Sequence, residues 1–119
     1  MFKTTLTPQD RQLLMFLLVS APLLDRQRTG REMPEDDHAS VLTRWLEKND
    51  RKVSLITRAR FLSYSSRFYK QLIRTQAPEH ITLLCDALRQ AFEGGERPQL
   101  AQQLMADCGQ LLIEHKLDR

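Results

Sequence analysis

The chain has 119 residues, 41% hydrophobic and 28% charged, which suits one domain around a single core and excludes both a disordered chain and two ordinary domains. Its formal charge of +3 is unevenly spread: residues 1–50 carry 7 basic and 8 acidic groups, residues 51–75 carry 7 and none, and residues 76–119 carry 4 and 7. Two cysteines are too few for a disulfide framework, while only four glycines and five prolines leave long stretches open to helix.

The first helix is punctuated by Thr7 as cap, Pro8 at the first position, where its missing N–H costs nothing, and Asp10 three residues after the cap. Leu13, Leu14, Phe16, Leu17 and Leu18 cover nearly its whole circumference. Such a helix is either central or has a spare apolar face for an interface, so self-association through residues 8–20 is one expectation. The run also resembles the apolar core of a signal peptide, but few basic residues precede it and Pro22 stands where cleavage would fall. It is far short of the ~20 apolar residues that span a bilayer. A buried core helix of a cytoplasmic protein is the better reading. Pro22 is expected to bend or end it after a last turn at Leu23 and Leu24, leaving residues 25–33 as a mobile loop with solvated Arg26, Arg28 and Arg31.

Pro34 opens a second helix with Glu35, Asp36 and Asp37 in its first turn, where the macrodipole favours acids. Val41, Leu42, Trp45 and Leu46 form its inward stripe. Asn49 or Asp50 ends it and caps the next, which is expected to start abruptly at Arg51 and run to about Thr75, before Ala77-Pro78. That element would be roughly 36 Å long and the spine of the fold. A fourth helix over about 79–92 buries Ile81, Leu84, Ala87, Leu88 and Ala91 and stops at Gly94-Gly95. A fifth starts at Pro98 with Leu100, Leu104, Cys108, Leu111 and Leu112 inward. Cys85 and Cys108, both in apolar helical patterns, read as buried thiols of a reducing compartment. The pattern predicts an all-α fold: a compact bundle of about five helices with a long central basic helix, one domain over residues 1–119.

The basic segment, Arg51 to Arg74, contains Arg51, Lys52, Arg58, Arg60, Arg67, Lys70 and Arg74. With Leu55 at zero on a helical wheel, Leu55, Ala59, Leu62, Tyr69 and Ile73 fall within about 40° and define the expected buried face, widened by Phe61, Phe68 and Leu72. Lys52, Arg60, Arg67, Lys70 and Arg74 cluster between about 60° and 140°, with Ile56 among them, Ser63 beside them and Tyr64 at the far edge. Arg51 and Arg58 lean toward the apolar sector and are expected to serve the fold.

Lys52, Arg60, Tyr64, Arg67, Lys70 and Arg74 are therefore the candidate partner-binding residues. An acidic protein surface fits them best, in a non-catalytic helical adaptor or regulatory protein. The alternative is RNA or DNA, with the same residues on phosphates and Tyr64 stacking on a base. The acidic remainder of the chain is a third customer for the charge. A helix-turn-helix over residues 79–115 is disfavoured because its second helix presents glutamines, Asp107 and Glu114 rather than cations. His38, His80 and His115 have no metal-ligand spacing, and Glu35, Asp36 and Asp37 point in different directions. No catalytic residue, metal or cofactor is expected.

Overall fold

Five helices form in the expected order: α1 (Pro8–Thr29), α2 (Glu35–Lys48), α3 (Leu55–Thr75), α4 (Pro78–Gly94) and α5 (Gln99–Glu114). The computed structural model describes residues 4–118. They make a compact all-α bundle with extents of 42 × 28 × 28 Å around one continuous core. No helix among the described residues is long and apolar enough to cross a membrane.

Local signals set most of the ends. The Thr7 hydroxyl accepts the Asp10 N–H, and the Asp10 carboxylate accepts the Thr7 N–H, each at 3.0 Å, closing a full capping box. Gly30 (φ 74°) and Gly95 (φ 76°) stop α1 and α4 in the left-handed conformation, which a residue without Cβ adopts freely.

The central element is α1, the only helix packed against all four others. Leu14, Met15, Phe16, Leu18, Val19 and Leu23 are buried, while Leu13 and Leu17 are half-buried. At 22 residues it is also slightly longer than the 21-residue α3, which corrects the expectation that the basic helix is the central spine.

A second correction concerns Pro22. The helix runs through it to Thr29, so Asp25 to Thr29 are helical rather than loop. A proline inside a helix cannot donate to the carbonyl four residues back, here Leu18. That carbonyl instead accepts from His38 Nε2, 2.7 Å away on α2. The imidazole replaces the bond that Pro22 cannot make, which fixes the proton on Nε2 and ties α2 to the middle of α1.

The start of α3 is the third correction. Asp50 (φ 52°) closes α2, with the Arg51 N–H bonded to the Leu46 carbonyl at 2.8 Å. The chain then runs outside any helix to Ser54, whose hydroxyl caps α3 by accepting the Thr57 N–H at 3.1 Å. Arg51 and Lys52 therefore precede the helix. Arg51 folds back onto Asp10 at 3.0 Å, with both side chains about five-sixths buried (16% and 17% exposed). It serves the fold as expected, from a different position.

Both cysteines are buried and free. Burial pushes the Cys85 thiol up and Cys108 up to about 12, with Asp107 a lesser cause for Cys108. The two buried hydroxyls, Ser20 and Ser65, donate to carbonyls of their own helices, Phe16 and Leu62.

Candidate functional site at the outer face of α3

The side chains of α3 that reach the core are Phe61, Ser65 and Tyr69, with Phe68 and Leu72 beside them. On the helical wheel this face is centred near 280°. Tyr69, Leu62 and Ile73 of the expected face keep their place against the core, and the inner face extends to the expected flank of Phe61, Phe68 and Leu72. Three aromatic rings outweigh a leucine and an alanine in area to be buried, so they select the inner face. Leu55, expected at its centre, is 81% exposed, and Ala59 is exposed as well. The outer face is then centred near 100°, in the middle of the basic stripe.

The six candidate residues separate into two groups. Arg67, Lys70 and Arg74 are exposed on the outer face of the C-terminal half of α3. Lys70 and Arg74 also border a cleft of about 450 Å³ walled by Pro22, Met33, Tyr69 and Ile73, with Glu32 and Glu35 lining it as well. Glu32 is already engaged: it accepts the Tyr69 hydroxyl at 2.5 Å and pairs with Arg26 at 3.2 Å. Desolvation, reinforced by Glu32, pushes the Tyr69 phenol well above its ordinary range and keeps it a donor.

The other three lie toward the far end of the helix or just before it. Arg60 donates from Nη2 to the carbonyls of His115 and Lys116 at 3.0 and 3.4 Å, satisfying the open end of α5. Tyr64 is stacked on His115, with centroids 4.1 Å apart and planes at 23°, and the Arg67 guanidinium lies 5.3 Å from the Tyr64 centroid. The phenol is thus half-buried in a contact between α3 and the end of α5, where the sequence suggested an open stacking platform. Lys52, outside the helix, lines a cleft of about 600 Å³ together with Arg11 and Arg60. Arg58 is half-buried and donates to the Thr43 hydroxyl at 3.4 Å, which makes it a link to α2.

Electrostatic pairing sharpens this division. Ion pairs among the described residues join Arg26 to Glu32, Arg28 to Asp25, Arg51 to Asp10 and Arg89 to Asp86. None involves Lys52, Arg60, Arg67, Lys70 or Arg74. The acidic remainder of the fold therefore does not pair with the stripe.

Leu55, expected on the buried face, is a surface residue, and Ile56 is exposed within the basic stripe as its position on the wheel implies. Both are in the first turn of α3, 81% and 73% exposed. The available signal was Ser54, a good cap that places the next two residues at the mouth of the bundle. Among the described residues, no group of three histidine, cysteine or acidic side chains is arranged to hold a metal. Compared with protein-family models, curated proteins and solved structures, the chain finds no match. The functional reading therefore rests on the geometry of the outer α3 face.

Proposed function

We propose that this protein is a non-catalytic adaptor or regulator that docks an acidic surface of a protein partner through the outer face of α3. The observation that carries this reading is the unpaired state of Arg67, Lys70 and Arg74 on one exposed face, within a fold whose own carboxylates are engaged elsewhere or lie beyond ion-pair distance. Exposed charges of this kind steer encounter and select partners by complementarity more than they stabilise the fold. A cytoplasmic setting belongs to the same reading, and the two buried free thiols support it.

Phosphate backbones would meet the same three cations, but the stacking of Tyr64 on His115 favours the protein partner, because it occupies the ring that would take a base. Fluorescence anisotropy with a labelled poly-glutamate peptide and with labelled RNA and DNA oligonucleotides, across a salt series, tests the choice. The peptide should bind, and R67E/K70E/R74E should abolish binding while leaving the circular dichroism unchanged. Unaltered peptide affinity in that variant would overturn the site. Tighter oligonucleotide binding with a steep salt slope would overturn the choice of partner.

A further inference from the structure

The outer face of α3 changes character along its length. Its first turns present Leu55, Ile56 and Ala59, and its last turns present Arg67, Lys70 and Arg74. Between them on the same side lie the small side chains of Ser63 and half-buried Ser66, and the exposed Arg60, whose guanidinium is turned away onto the carbonyls of His115 and Lys116. Leu55 and Ile56 are the two most exposed large apolar residues among those described, and they are consecutive in the first turn. Solvent gains nothing from them and the core does not use them. A uniformly charged polymer would reward the cations alone.

We infer that the partner contributes an amphipathic helix whose apolar residues cover Leu55, Ile56 and Ala59 and whose acidic residues meet Arg67, Lys70 and Arg74, about 20 Å further along. The inference rests on the docking reading above and specifies its occupant. Charge complementarity requires acids at the C-terminal half of α3, and the apolar pair requires a hydrophobic patch at the other half. A helix fits this face better than an extended segment for a backbone reason. The N–H and C=O groups along the middle of α3 are bonded within the helix and offer an incoming strand no partners, whereas an incoming helix satisfies its own. Small residues at Ala59, Ser63 and Ser66 keep the middle of the ridge low, so two helices can lie close along it.

Two synthetic helical peptides of about 20 residues, identical in composition, test this directly against the full chain. One carries leucines and glutamates segregated on one face, with the clusters about 13 residues apart, and the other interleaves them along that face. The segregated peptide should bind at least about tenfold more tightly by fluorescence anisotropy. L55S/I56S, which alters only exposed side chains, should erase that advantage and leave the interleaved peptide unaffected. R67E/K70E/R74E should weaken both. Equal affinity for the two peptides, or an advantage that survives L55S/I56S, overturns the inference and leaves acidic docking standing. Binding of both peptides that is indifferent to R67E/K70E/R74E overturns the docking reading itself.

Discussion

Replacing His38 with alanine separates a hydrogen bond from ordinary packing. In the native chain the Leu18 carbonyl has no N–H four residues ahead, because Pro22 is there, and His38 Nε2 supplies the donor at 2.7 Å. Leu18 is fully buried, so water does not readily replace the imidazole. The loss of a net hydrogen bond and the orphaned carbonyl together should cost about 2 kcal/mol, or roughly 8 °C in melting temperature for a domain of this size. In a Pro22→Ala background the alanine N–H is available to the same carbonyl, and His38→Ala should then cost about 1 kcal/mol or less. Urea unfolding of the four proteins, followed by circular dichroism, measures the coupling. The variants must share one m-value for the comparison to hold. If His38→Ala costs the same with proline or alanine at position 22, the imidazole acts only by packing and the account of how α1 passes through Pro22 is refuted.

Two further outcomes follow from the fold. Burial holds the Cys108 proton to about 12, against an ordinary value of 9.0, so the unfolded chain releases it first. Stability is therefore full below about pH 9 and falls as pH rises toward 12, by about 1.4 kcal/mol per pH unit for this group. In urea unfolding, Cys108→Ala should lose about 1 kcal/mol less than the native chain between about pH 8 and pH 10, and equal losses would count against the buried thiol. Lys116 occupies the left-handed region (φ 56°) where the Leu117 N–H closes onto the Leu112 carbonyl at 2.8 Å. Lys116→Gly should stabilise by about 1 kcal/mol, more than Asp50→Gly, because aspartate tolerates this conformation better. Thermal melts showing the reverse order would contradict that explanation.

The parts of the fold that were legible in the sequence are those decided within a few residues. Thr7 with Asp10, Pro34, Ala77-Pro78 and Gly94-Gly95 each mark a boundary by local chemistry, and the structure keeps all four. That α1 continues past Pro22 to Thr29 was not legible, because the donor that completes it there, His38, is a neighbour in space and not in sequence. Most of the inner face of α3 was legible as well; Leu55 and Ala59 are the exceptions, because the aromatic rings of Phe61, Phe68 and Tyr69 take the interior in their place. Three outward cations, Arg67, Lys70 and Arg74, were legible from their spacing alone. The engagement of Arg60 and Tyr64 with His115 was not, since it spans more than fifty residues of chain.

The central position of α1 also dictates an order of assembly. This helix is synthesised before any of the four that cover it, and its last partner ends at Glu114, 85 residues after Thr29. At about 5–20 residues per second, α1 waits roughly 4–17 s before its full set of neighbours exists. During that interval Leu14, Phe16, Leu18 and Leu23 have no complete interior to enter. The nascent chain therefore carries an apolar axis without its full shell, and its tendency to aggregate during synthesis should depend more on how quickly α4 and α5 arrive than on the stability of the finished bundle.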